Sequence, residues 1–411
     1  MVEQRPLEPS ESLLMRSDQG IVFDALVEGP VDVDAMERAW AELLALDPAL
    51  AGTISQQQGR YVLSARAPAR SKARTATTTP EHREALAAAL DPATALARLV
   101  VTPCEGGYRV GLAIHHAVAD GRAAAALYAL LWERYTAVLS GKGEHVAPRG
   151  GLRPGAEPFL SHLFTREEVE AAVRAYRGAF HGFPKGPAAG VGDDGAVRVR
   201  RLLLDRAETN SLLATARRAE VSVHALLCAA LLSAGRRADA DEGAPLLLSG
   251  WSVVDLRRRV TPHVSDLGVT NFTSGAKSEL DVARDTDPLQ LARRVKRQLD
   301  SQLAARTPQK LALRLGEVVG AAFASVSPPR FLLTNLGVLP PLQVPDGVAI
   351  RDLRFYDSQP VPVPIYMAQT YAGRLSVELV QWQSAASEEQ ARTALGTLRE
   401  ALVPSSPPVP L

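Results

Sequence analysis

Cysteine is scarce in this chain of 411 residues, which holds only Cys104 and Cys228. Each sits in an apolar segment, so no disulfide framework is expected, and the expected compartment is the cytoplasm. An excess of one charge is missing too. With 46 Lys and Arg against 45 Asp and Glu, the net charge of +1 provides no global field for nucleic acid. No stretch approaches the ~18 uninterrupted apolar residues of a membrane span. The start, Met-Val-Glu-Gln-Arg-Pro-Leu-Glu-Pro9, has no apolar signal core, so a soluble protein without a transmembrane segment is expected. A GxSxG motif is absent, and Cys104 is followed by the acidic Glu105 rather than by a base or cation that would activate it. Covalent catalysis through a serine or cysteine therefore has no motif to rest on.

What the chain does have is a dense heptad, His115-His116-Ala117-Val118-Ala119-Asp120-Gly121. A strand-like run from Gly107 to Ile114 leads into it, with Tyr108, Val110, Leu112 and Ile114 alternating onto one face. A helix leaves it, with Ala123, Leu127, Leu130, Leu131, Tyr135 and Val138 at helical spacing. The heptad thus occupies a strand-to-helix turn, where side chains can be aimed into a cleft. Two adjacent histidines at a strand end point to opposite sides, and burying both in apolar packing would cost desolvation twice. Asp120 is open to three readings: N-cap of the outgoing helix, metal ligand with His116, or acid partner of the His116 ring. The strand pattern and Gly121 place His116 before the helix begins, which spoils the metal geometry, and no metal is expected.

The rest of the chain divides legibly. A strand over Ile21 to Leu26 precedes a helix over Val33 to Leu46, with Val33, Met36, Trp40, Leu43 and Leu44 inward, and then Asp47-Pro48-Ala49-Leu50. A loop-rich region from Gly141 to Glu157 and a helix from Thr165 to about Ala179, opened by the box-like Thr165-Arg-Glu-Glu168, close the first half. Gly, Pro, Ala and Asp dominate from His181 to Gly195, which reads as a linker. The second half is expected to carry strands at 196–204, 246–254, 330–335, 348–356, 362–371 and 374–382. Its helices are expected at 208–219, from Ser222 through Leu232, and near 288–304, 308–319 and 387–402. The division is therefore an N-terminal domain over 1–180, a linker over 181–195, a C-terminal domain over 196–403 and a Pro-rich tail over 404–411. Each half is expected to be a mixed α/β sandwich.

The heptad resembles the HHxxxDG signature of a large acyltransferase superfamily, which includes nonribosomal peptide condensation domains, plant BAHD acyltransferases and polyketide-associated acyltransferases. The resemblance extends along the chain. Asp47-Pro48-Ala49-Leu50 is similar to the family's "hPaL" turn, and Val254-Asp255-Leu256-Arg257, Leu267 to Phe272 and Leu333-Thr334-Asn335-Leu336-Gly337 are similar to its "vdlR", "lGN" and "sNlG" segments, in order. The DFGWG segment of the plant enzymes is missing, and the shorter, freestanding chain resembles the polyketide-associated group of the phthiocerol dimycocerosyl transferase type. The resemblance implies two chloramphenicol-acetyltransferase-like domains with the active-site tunnel at their interface.

It also implies an O-acyltransferase that moves an acyl group from a thioester donor, acyl-CoA or a phosphopantetheinyl carrier protein, to a hydroxyl of a polyketide-like, lipid or other secondary-metabolite acceptor. No tightly bound cofactor is expected, and the chain is expected to be a monomer that meets an acyl carrier protein or polyketide synthase. His116 is the candidate general base. Asp120 is expected to pair with Arg257 across the domain interface, with Gly121 admitting the helix start close to the base and His115 supporting the loop. Asn271 and Asn335 are candidates to line the tunnel, though each also fits a turn. Basic clusters at Arg66-Arg70-Lys72-Arg74 and at Arg293, Arg294, Lys296 and Arg297 are candidates for donor docking. The rival readings are a freestanding condensation enzyme that forms an amide, and an inactive docking protein of the same fold.

Overall fold

The computed structural model describes residues 3–16, 20–66, 73–141, 151–178, 197–239, 243–323, 330–358, 363–382 and 385–403. The expected linker over 181–195 and tail over 404–411, and Arg70 and Lys72 of the first basic cluster, lie outside the described residues. In chain order the strands are β1 (Gln4–Pro6), β2 (Gly20–Glu28), β3 (Thr53–Gln57), β4 (Arg60–Ser64), β5 (Arg74–Thr75), β6 (Ala97–Cys104), β7 (Gly107–His115), β8 (Val197–Leu203), β9 (Leu246–Asp255), β10 (Thr273–Val282), β11 (Leu332–Val338), β12 (Ala349–Asp357), β13 (Ile365–Tyr371) and β14 (Arg374–Trp382). The helices are α1 (Pro9–Leu13), α2 (Val33–Leu46), α3 (Thr79–Ala87), α4 (Gly121–Leu139), α5 (Glu157–Leu160), α6 (Arg166–Gly178), α7 (Arg206–Arg218), α8 (Val223–Arg237), α9 (Pro288–Ala304), α10 (Thr307–Ala312), α11 (Leu315–Phe323) and α12 (Ala385–Leu402).

Two mixed sheets carry the architecture. The first has the order β12-β2-β7-β6-β5, the second β10-β9-β11-β13-β14-β8, and β1, β4 and β3 form a small third sheet. On the first sheet, α2 and α4 pack side by side. The Asp32 carboxylate caps α2 by accepting from the Ala35 N–H at 2.8 Å, and Met36, Trp40 and Leu43 are buried. Tyr128 and Trp132 of α4 meet edge to face, as do Trp132 and Tyr135. In the second sheet β11 runs parallel to both β9 and β13. The apolar α8, packed against α9 and α12, covers it. Among the described residues no single helix is long and apolar enough to cross a membrane.

Three features differ from expectation. β12, numbered with the second half, pairs antiparallel with β2 of the first sheet, from Ala349↔Glu28 to Asp357↔Ile21. Phe355 thereby stacks on Phe23 at 5.1 Å, and burying a ring of this size contributes roughly 1.5–3 kcal/mol. The helix expected over 308–319 is two, α10 and α11, broken at Leu313-Arg314. β10 carries Thr, Ser, Gly, Lys and Glu and has no apolar alternation to announce it. Gly275 is required within it because an added Cβ would lie 1.8 Å from the Trp251 ring.

Candidate active site

The heptad folds as its pattern suggests: β7 ends at His115, residues His116–Val118 make one 3-10 turn, and Asp120 caps α4. His115 is fully buried, and its Nδ1 accepts from the Ala117 N–H at 3.2 Å. His115 therefore holds the turn and stays out of the cleft. His116 is half-buried and lines a small cavity of about 120 Å³ together with Gly121, Arg122, Asn335, Phe355 and Asp357. Its Nδ1 is buried without a hydrogen-bond partner.

Asp120 acts entirely as a fastening. Oδ1 accepts from the Arg122 and Ala123 N–H groups at 3.1 and 2.9 Å and from Arg257 Nη2 at 3.0 Å. Oδ2 accepts from Arg257 Nη1 at 2.7 Å and from the Phe272 N–H at 2.8 Å. A carboxylate offers about four lone-pair sites, so none remains for a metal or for the His116 ring. Burial alone would raise the Asp120 pKa, but the Arg257 guanidinium and these hydrogen bonds hold it below its ordinary value of 3.8. Both side chains of the pair are 1% exposed. Arg257 also donates to Asp255 Oδ1 at 3.0 Å, so one guanidinium joins the α4 start to the end of β9.

The two asparagines divide. Asn271, a candidate either to line the tunnel or to serve a turn, donates from Nδ2 to the carbonyls of His116 and Ala117 at 2.9 and 3.1 Å, fixing the turn's backbone. Asn335 does line the cavity, while its Oδ1 accepts from the Gly337 N–H at 2.8 Å. Gly121 is held to its size by the second half, because an added Cβ would come within 3.0 Å of Phe355 Cζ and 3.1 Å of Leu336 Cδ2. On α9, Arg293 Nε donates to the Ala219 carbonyl at 3.3 Å and Arg294 Nη1 to the Asp281 carbonyl at 3.0 Å. Arg297 is exposed, and Lys296 is engaged by Asp300 at 2.5 Å. Arg66 and Arg74 are exposed on the first half.

Two larger cavities flank the His116 chamber. One of about 620 Å³ shares Val253 and Asp255 with it and is lined further on by Arg258, Arg259 and Lys296. The other, of about 360 Å³, shares Arg122 and is lined mostly by apolar residues, Ala126, Ala129, Leu130, Leu339 and Leu342 among them, with Glu133 and Asp266 also in its wall.

Sequence reasoning missed several residues here. Arg153, 6% exposed, donates to the carbonyls of Val269 and Val118 at 2.8 and 2.9 Å and sits 2.8 Å from Asp47. It ties the Asp47-Pro48-Ala49-Leu50 turn to the His116–Val118 turn. His224 Nε2 lies 2.8 Å from Ser252 Oγ in the wall of the larger cavity, and burial lowers the His224 pKa to about 4, which keeps the ring neutral. Asp357 was missed because nothing in its local sequence marks it.

A family model described as the C-terminus of phthiocerol/phthiodiolone dimycocerosyl transferase matches residues 193–380. The phthiocerol/phthiodiolone dimycocerosyl transferase of Mycobacterium leprae (strain TN) is 28% identical over 407 residues, covering 91% of each chain. Among solved structures, polyketide synthase associated protein 5 from Mycobacterium tuberculosis superposes with a TM-score of 0.81 at 25% identity, over 97% of this chain and 98% of that one. The first condensation domain of the CDA synthetase superposes with a TM-score of 0.74 at 15% identity, over 98% and 97% of the two chains, and shows the fold alone. The fold class is the one expected, a mixed α/β structure of the chloramphenicol-acetyltransferase-like kind.

Proposed function

Taking as premise that this chain belongs to the acyltransferase and condensation superfamily, we propose that it passes an acyl group from a thioester donor to the hydroxyl of a polyketide-like or lipid acceptor. The observation that carries this reading is the row of three cavities. The His116 chamber lies between a larger cavity with Arg258, Arg259 and Lys296 in its wall and an apolar cavity beside α4. On that side Lys296 is held by Asp300, and Arg258 and Arg259 are the groups that suit the phosphates of acyl-CoA or of a phosphopantetheinyl carrier protein. The apolar side suits a chain of methylenes, each worth about 0.8 kcal/mol when buried.

His116 is the general base. A thioester is already activated, so the site needs chiefly a positioned base and a held geometry. With Nδ1 buried, Nε2 takes the hydroxyl proton as the oxygen attacks the thioester carbon. The tetrahedral intermediate then collapses, the C–S bond breaks, and the departing thiolate receives the proton back from the imidazolium. Transfer is direct, with no acyl-enzyme. Asp120, Arg257 and Asn271 hold the turn that presents the ring. The relatives' names specify phthiocerol or phthiodiolone as their acceptors, and this chain's acceptor is of that general class, a hydroxyl on an apolar chain.

The test is acyl transfer from a panel of thioesters to hydroxyl and amine acceptors, with His116→Ala as control. Ester formation that falls by about two to four decades in the folded variant is expected. Near wild-type turnover in that variant refutes the assignment of the base, and preference for an amine refutes the ester.

A further inference from the structure

Asp357 is brought to His116 by strand pairing alone. β2 lies between β7 and β12, and Ile21 pairs with Ile114 on one side and Asp357 on the other. Two strand spacings place the Asp357 Cα about 10 Å from that of Ile114, on the sheet face from which Ile21, Phe355 and Asp357 line the His116 cavity. The backbone at this point is fixed. The Asp357 N–H donates to Met367 Sδ at 3.0 Å, and Ser358 exchanges hydrogen bonds with Gly20 at 2.7 Å to its carbonyl and 2.9 Å from its N–H.

One oxygen of the carboxyl group has no hydrogen-bond partner among the described residues. Asp357 is 6% exposed, and its Oδ1 is buried without a hydrogen-bond partner, as is His116 Nδ1. The remaining charged groups around it are committed elsewhere or stand apart. Asp120 and Asp255 are bound by Arg257, and Arg122 stands in the cavity wall. His115 supports the turn, β13 offers only Met367, and Glu378 of β14 is bound by Arg354 and Arg201. Burial pushes the Asp357 carboxyl up to about 6, opposed by the charge of His116. A buried acid without a partner costs stability, and such groups facing a cleft cluster at functional sites.

We propose that Asp357 is a positioning residue for proton transfer at His116, its carboxylate facing the imidazolium that forms when the ring takes the acceptor's proton and favouring that charge. This rests on the reading of His116 as the base. No bond is made to Asp357: the proton moves from the acceptor oxygen to the ring and on to the leaving thiolate.

The test uses the full-length protein with isotopically labelled histidine and aspartate, and reads midpoints by NMR before any activity. In His116→Gln the Asp357 midpoint rises, because the ring's charge no longer opposes burial. The acid limb of the kcat/KM profile of Asp357→Asn moves to lower pH, and kcat falls about tenfold while the acceptor KM holds within about twofold. Thermal unfolding of Asp357→Asn at or above the wild-type temperature supports a group kept for function rather than for the fold. An unchanged Asp357 midpoint in His116→Gln overturns the proposal, even where activity still depends on His116. Coupled midpoints in a protein that transfers no acyl group would instead leave the coupling standing and refute the acyltransfer reading.

Discussion

Replacing Arg257 by Met removes a guanidinium and leaves the Asp120 carboxylate 1% exposed in a site built for a cation. Breaking one partner of a buried pair costs roughly 3–5 kcal/mol. Asp120 keeps three backbone donors, the N–H groups of Arg122, Ala123 and Phe272, so the lower end, about 3 kcal/mol, is expected at neutral pH. That corresponds to a factor of roughly 100 in the folding equilibrium, measurable by urea denaturation. The pH dependence is the sharper test. In the wild type the Asp120 pKa is held below 3.8, so its stabilisation is fully present above that value and is lost as pH falls through the folded pKa. In the variant burial acts without the guanidinium and raises the folded pKa, so the variant is penalised as pH rises past the unfolded value. The gap between the two proteins is therefore widest at neutral pH and closes below about pH 4. Adding Asp120→Asn to the variant recovers much of the loss, because a neutral pair strands no charge. A loss under about 1 kcal/mol, or a gap that stays constant from pH 7 to pH 4, would show that the pair is not what fastens the turn.

Asn271→Ala removes both hydrogen bonds to the carbonyls of His116 and Ala117. A stability loss of about 1–2 kcal/mol is expected, with kcat lowered and the donor KM little changed. Steady-state kinetics showing an unaltered kcat would return Asn271 to the role of an ordinary turn residue. Ala126→Trp places an indole in the apolar cavity of about 360 Å³. Long-chain substrates should lose at least about tenfold in kcat/KM while acetyl and small-alcohol substrates are spared, since burial of methylenes is what the cavity supplies. An equal loss across chain lengths would mean that the cavity is not on the substrate path.

Local signals reached as far as local forces do. Val33–Leu46 was legible to the residue because Asp32 caps its start, the apolar residues recur at helical spacing, and Asp47-Pro48 ends it. The Thr165–Glu168 box is formed reciprocally in the structure, with each N–H donating to the other's side chain. β10 gave a weak signal, because Ser274 and Ser278 stand among its buried positions beside Ala276, Leu280 and Val282. Nothing in Ala349–Asp357 states which sheet it joins. As a strand it was readable. Its partner was decided by where its apolar face fits, and Phe355 fits between Phe23 and Gly121.

The same limit explains which site residues could be foreseen. Asp120 and Arg257 are 137 positions apart, so only the resemblance to a known family connected them; periodicity could not. For Asn271 both a cavity-lining and a turn reading stayed open, because sequence does not distinguish an amide that faces a cavity from one that holds the backbone behind it. Asp357 stands at the end of a strand, where an acid reads as a solvated terminus. Only the β7-β2-β12 order turns that terminus into the wall opposite His116. A strand contributed by the second half to the first half's sheet therefore does more than join the halves. It delivers a buried acid to the chamber of His116, carried by the other half, so the electrostatics there depend on a pairing register: a one-residue slip of β12 against β2 would turn Asp357 to the opposite face of the sheet.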